Sequence, residues 1–207
     1  MPPALAPYGW NVPRSPRFVE PGAFYHVTAR GNDRRDIFDD REDDLDRWRL
    51  VALLERTVRK HDWTVFAYCL MTNHFHVLVQ AGDSGLSAGM QELLGEYSRC
   101  WNSRHGRSGH LFSSRFRSEA VESERHLLAA ARYVDLNPVR ARAASRPDRW
   151  QWSSYRALVG LDHAPPFLAV SATLQLFGPT PAKARQAYTR FVWDGLVPSG
   201  HVQVSDT

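Results

Sequence analysis

Two runs rich in β-branched and aromatic residues, WTVFAYCLM (63–71) and HFHVLVQ (74–80), are separated only by Thr72-Asn73. So short a break between strand-like runs predicts a tight hairpin, and a hairpin commits this part of the chain to antiparallel pairing. Alternation with period two then sorts the second run by face. Phe75, Val77 and Val79 point into a core, and His74 and His76 stand side by side on the opposite face.

The rest of the chain supplies partners for that hairpin. Residues 23–30 (AFYHVTAR) read as a strand ending at the turn signal Gly31-Asn32. Residues 40–60 read as a helix with an acidic first turn and with Leu50, Val51, Leu54 and Val58 on one side. Met90, Leu93, Leu94, Tyr97 and Trp101 place a second helix over about 87–104. A Gly/Ser-rich loop (105–114), a short strand near 115–122 and a helix capped by Ser123 follow, with Pro138 expected to stop that helix at Asn137. The order β-α-β-β-α-β-α predicts an α+β fold: an antiparallel sheet with helices packed on one face. Residues 1–20 hold five prolines and read as an irregular arm, 21–160 as the main domain, and 161–207 as a small helical C-terminal extension with helices near 171–177 and 181–194. The cluster Trp150, Trp152 and Tyr155 is expected to pack and close the main domain.

Composition narrows the function. The net charge is +4, and only Lys60 and Lys183 are lysines, so the basic charge is carried by arginine. Arginine's planar fork suits phosphates and stacks on bases, which favours nucleic acid; a GC-rich genome gives the same bias. Residues 99–117 carry Arg99, Arg104, Arg107, Arg115 and Arg117 without a single Asp or Glu, the better electrostatic footprint. Cys69 and Cys100 lack ligand spacing, so no disulfide framework or cysteine zinc site is expected. No apolar run approaches a membrane span and no signal-peptide pattern opens the chain, so a soluble, cytoplasmic protein is expected.

Two imidazoles on one sheet face make half of a metal site, though an isolated H-x-H is also a common structural pair. Within RYVDLNP (132–138), Tyr133 and Asn137 are four apart and share one helix face. An amide oxygen is a hard metal ligand, and the tyrosine one turn earlier would lie beside the same ion. Asn-Pro also simply ends many helices, so spacing alone leaves both readings open. His26, on the first strand, reads as a structural or supporting residue for the metal face.

The runs LMTNHFHVLV (70–79) and ARYVDLNPVRA (131–141) resemble the two signature regions of the REP-associated tyrosine transposases, within the HUH single-tyrosine superfamily. PGAFYHVTARGNDRRDIF (21–38), RSGHLFSSRFRS (107–118), WQWSSYRALVG (150–160) and AKARQAYTRFVWDGL (182–196) resemble further blocks, collinear over roughly 14–196. Thr72 departs from the proline that many relatives carry there. The resemblance implies a ferredoxin-like HUH fold, His74, His76 and Asn137 as ligands of Mg²⁺ or Mn²⁺, and Tyr133 as the nucleophile. It implies cleavage and rejoining of single-stranded DNA at REP-like hairpins through a 5′-phosphotyrosine, by a monomer or a homodimer. Arg30, Asn32, Arg34 and Arg35 on the first loop, with Arg104, Arg107, Arg115 and Arg117 on the later one, are the expected DNA contacts. Two other functions fit the same residues: a non-catalytic DNA-hairpin-binding regulator, and a metal-dependent phosphohydrolase in which Tyr133 is dispensable.

Overall fold

The computed structural model describes residues 20–39 and 43–196. The arm expected over 1–20 lies outside the described residues except for Glu20, as do 40–42 and the stretch 197–207 of the C-terminal extension.

Four strands form one antiparallel sheet: β1 (Phe24–Arg30), β2 (Thr64–Leu70), β3 (His74–Gln80) and β4 (Arg117–Val121), in the order β2-β3-β1-β4. The hairpin expected at Thr72-Asn73 is present and closes through Met71 N–H donating to the His74 carbonyl at 2.9 Å. Gly31 is needed where the chain leaves β1, because a Cβ there would lie 2.1 Å from the Arg35 carbonyl oxygen. β4 starts later than the sequence suggests. Residues 111–113 leave its line to pair with the end of β1, with Asn32 N–H donating to the Leu111 carbonyl and Ser113 N–H to the Arg30 carbonyl.

The α+β class and the element order are as expected, but the helices cover both faces of the sheet rather than one. Helices α1 (Leu45–His61) and α2 (Ser87–Arg104) bury Leu50, Leu54, Met90 and Leu93 against Val27, Phe75, Val77 and Val79. Helix α3 (Glu124–Arg140) buries Leu127, Ala130, Ala131 and Val134 against Ala67, Cys69 and Leu78 on the other face. The reason lies in β2, which carries apolar residues at even and odd positions, and in Leu78 of β3, so each face needs a cover.

Ser123 caps α3 by accepting from His126 N–H at 3.2 Å. Pro138 does not stop this helix, which runs on to Arg140. Proline's fixed φ is itself helical, so the chain keeps its helical path at the cost of the one bond that an N–H at this position would give the Val134 carbonyl. Ala141 N–H still donates to the Asn137 carbonyl, and the Pro138 carbonyl accepts from Ala143 N–H.

The outer edge of β2 is covered by the segment after α3. Leu70 N–H donates to the Trp152 carbonyl at 2.8 Å and Ser154 N–H to the Tyr68 carbonyl at 2.9 Å. Trp152 and Tyr155 are buried in the main core, the packing role expected of them. Three helices follow, α4 (Tyr155–Val159), α5 (Val170–Gln175) and α6 (Pro181–Asp194), and Leu174, Ala184, Tyr188 and Val192 join that same core.

Candidate active site

The register of β1 on β3 builds the site from beneath. Thr28 stands opposite His76, and Arg30 opposite His74. His76 Nδ1 lies 2.9 Å from His26 Nε2 and 3.1 Å from Thr28 Oγ1. On its other side, Asn137 Nδ2 donates to His76 Nε2 at 3.1 Å, so Nε2 carries the lone pair and Nδ1 the proton. His74 is held the same way. The Asn73 amide donates to the Arg34 carbonyl, which turns its oxygen toward His74 Nδ1 at 2.7 Å. An oxygen there accepts only, so His74 also carries its proton on Nδ1 and keeps Nε2 bare.

Both imidazoles are poor bases. Burial first, with Arg30 and then an opposing hydrogen bond from Asn137, takes His74 down to about 4. Burial, then the neighbouring His26 and His74, then Arg30 take His76 to about 2. His26 is lowered too, by burial foremost. Neutral imidazoles with fixed tautomers are what a cation requires of histidine at neutral pH. Asn137 reaches both rings, and a half-turn of its amide brings oxygen in place of nitrogen. The set of two imidazoles and one amide therefore fits a divalent cation. No cluster of three or more His, Cys, Asp or Glu that could hold a metal occurs among the described residues.

Tyr133 sits one turn before Asn137 on α3, half-exposed at 40% amid buried neighbours. Its ring stands edge-on to His76 and to His26, with centroids 5.7 and 5.6 Å apart. The Arg140 guanidinium, two turns on, lies 5.1 Å from the Tyr133 ring centroid. Tyr133, Asn137 and Arg140 thus share one helix face, on which Tyr133 and Asn137 meet the histidines. Sequence reasoning missed Arg140, although its spacing of seven from Tyr133 was there to read. It also missed Thr28 and Asn73, whose roles depend on cross-strand register.

The expected DNA contacts divide. Arg30 and Arg117 flank the histidine face, since Arg117 pairs with Thr28 across β1 and β4. Asn32 and Arg115 line a groove on the other side of the sheet. Arg34 offers its carbonyl to Asn73, Arg35 lies 4.0 Å from Asp33, and Arg107 rests over the Trp101 ring. Arg104 is committed to α1 instead, bonding Asp43 at 2.7 Å and lying 3.8 Å from Asp46. No helix among the described residues is long and apolar enough to cross a membrane.

Comparison with known proteins follows the same lines. No curated protein matches the chain. Among solved structures, a REP-associated tyrosine transposase bound to a REP hairpin is similar in fold, with a TM-score of 0.58 and 16% identity over 75% of this chain and 90% of that one. A tRNA(His) guanylyltransferase from Saccharomyces cerevisiae aligns with a TM-score of 0.43 and 10% identity over 86% and 82% of the two chains, too distant to carry an argument. Residues 21–137, from β1 to the asparagine beside His76, match the family described as IS200-like transposases. The chain belongs to the IS200-like transposase family.

Proposed function

We propose that the protein is a single-tyrosine transposase that cuts and rejoins single-stranded DNA at REP-like hairpins, with Tyr133 as nucleophile and Mg²⁺ or Mn²⁺ held by His74, His76 and Asn137. The observation that carries this reading is the position of Tyr133: half-exposed, yet against His76 and one helical turn from Asn137.

The phenolic oxygen of Tyr133 attacks the phosphorus of the scissile phosphodiester, and the P–O3′ bond breaks. The phenolic proton is lost, and the departing 3′ oxygen gains one. The 5′ phosphate stays on the tyrosine as a diester, so a later attack by a 3′-OH rejoins DNA without ATP. A bound divalent cation supplies Lewis-acid polarisation of the phosphate oxygen. Asn73 and the pair His26–Thr28 keep the Nε2 lone pairs of His74 and His76 directed to one side. Arg140, next to the Tyr133 ring, favours the approach of the anionic phosphate. Arg30 and Arg117 hold neighbouring phosphates on the same face.

The test mixes the protein with labelled single-stranded DNA carrying REP-like hairpins from its own genome, plus Mn²⁺. A denaturant-stable protein–DNA adduct is expected, and it should vanish in Tyr133→Phe and in His76→Ala. Hairpin binding without an adduct in the wild type would make the protein a DNA-binding regulator instead.

A further inference from the structure

Helices α1 and α2 run side by side in opposite directions, and ionic contacts close their outer seam at one end. There Arg56 bonds Glu96, Lys60 bonds Glu92 at 2.8 Å, and His61 Nε2 lies 3.2 Å from the same Glu92 carboxylate. At the other end, the start of α1 and the end of α2 leave a hollow of about 450 Å³. Leu45, Trp48, Ala52, Cys100 and Trp101 line it. A second hollow, of about 300 Å³, lies on the other side of Trp48, against Tyr68, Trp152 and Pro165.

Trp48 stands between the two with 61% of its surface exposed, and Leu45 is 54% exposed. The core takes Leu50, Leu53, Leu54 and Val58 from α1, so the fold itself does not call for a large apolar pair on the outer side of the helix. Charge at the first hollow is unevenly matched. Asp46 is committed to His105 at 2.9 Å and Arg104 to Asp43 at 2.7 Å. Arg49 also lines the hollow, and among the described residues it makes no hydrogen bond or ion pair.

We infer that this surface docks an amphipathic helix of a partner protein, with large apolar side chains entering the hollows on either side of Trp48 and a carboxylate beside them paired with Arg49. Apolar anchors at helical spacing, laid into hydrophobic hollows, are a recurring way in which a helix is recognised. Charge decides between occupants. A second copy of this chain would bring its own Arg49 to the same surface and set like charges together. Nucleic acid needs a run of cations, whereas this end of α1 offers Arg49 beside Asp43, Asp44 and Asp46. A carboxylate flanked by leucines or aromatics matches one cation in an apolar setting. The surface belongs to α1 and α2, and the histidines face α3 on the other side of the sheet, so a docked helix leaves Tyr133 open.

The test uses the full chain and fluorescein-labelled synthetic helical peptides. One carries leucines at helical spacing with a glutamate beside them, one has lysine in place of that glutamate, and one has alanines in place of the leucines. The glutamate peptide should bind about tenfold more tightly than the lysine peptide, and the alanine peptide should not bind. Trp48→Ala should weaken the glutamate peptide by about tenfold or more, as loss of a central aromatic contact does. Arg49→Glu should reverse the preference between the glutamate and lysine peptides, a result that a folding defect cannot give. Cys100 lines the hollow and Cys69 is buried, so bound peptide should also slow labelling of Cys100 by iodoacetamide. Equal binding of the glutamate and lysine peptides, or binding of neither, would overturn the inference and leave the transposase reading intact. A dimer in sedimentation, or single-stranded DNA binding, that Trp48→Ala abolishes would overturn it as well, since either gives the hollow another occupant.

Discussion

A histidine that ligates a cation almost always has its other N–H held by a partner, and here Asn73 holds His74 while His26 and Thr28 hold His76. Asn73→Ala should release the His74 tautomer and lower Mn²⁺ affinity by about 10–100-fold, the usual effect of losing an orienting partner. Titration of the protein with Mn²⁺, followed by electron paramagnetic resonance, reads this directly, and an unchanged Kd would contradict the orienting role. At this scale the sequence showed which of these side chains lie together. Period two on a strand put His74 and His76 together, and a spacing of four on a helix joined Tyr133 to Asn137. Asn73 was hidden because its task depends on a contact with the Arg34 carbonyl, thirty-nine positions away, that no local pattern encodes.

Helix α3 carries the tyrosine on one side and a buried carboxyl on the other. Asp135 is fully buried and accepts from Ser154 Oγ at 2.7 Å and Tyr188 Oη at 2.6 Å, which ties α3 to α6. Tyr188→Phe removes one of these donors and should cost about 1–3 kcal/mol in a denaturant titration, because the Asp135 oxygen is left unpaired in the core. Burial lifts the Asp135 carboxyl from its ordinary 3.8 to about 7, against the lowering effect of its two hydrogen bonds. Between those values the folded chain holds a proton that the unfolded chain has released, so stability falls as pH rises through that window. Asp135→Asn has no such proton to lose. Its melting temperature relative to wild type should therefore climb from pH 4 to pH 7, and a constant difference would contradict the assignment. Element identities were legible because periodicity and capping agree locally, as with Ser123. The layering was not, since it depends on which element covers the second apolar face made by β2 and Leu78. The continuation through Pro138 was not either, since it depends on the helix giving up one bond to keep its path.

Across the whole molecule, the expected DNA contacts separate into arginines at the histidine face, Asn32 and Arg115 on the other side of the sheet, and arginines such as Arg104 spent on the fold. Arg30→Ala and Arg117→Ala should each lower the slope of log affinity against log salt by about 1, as loss of one phosphate contact does. Arg104→Ala should leave that slope unchanged and lower thermal stability, because its partners are Asp43 and Asp46. Sequence could place these arginines on two loops, but not distinguish them, since the distinction lies in which carboxylates the fold brings near. The central claim is that Tyr133 is the covalent nucleophile. Trypsin cuts after Arg132 and Arg140, so the peptide 133–140 begins with that tyrosine. Mass spectrometry of protein trapped with hairpin DNA and Mn²⁺ should find the 5′ nucleotide attached to this peptide. Attachment to any other peptide, or an adduct that persists in Tyr133→Phe, would contradict the account.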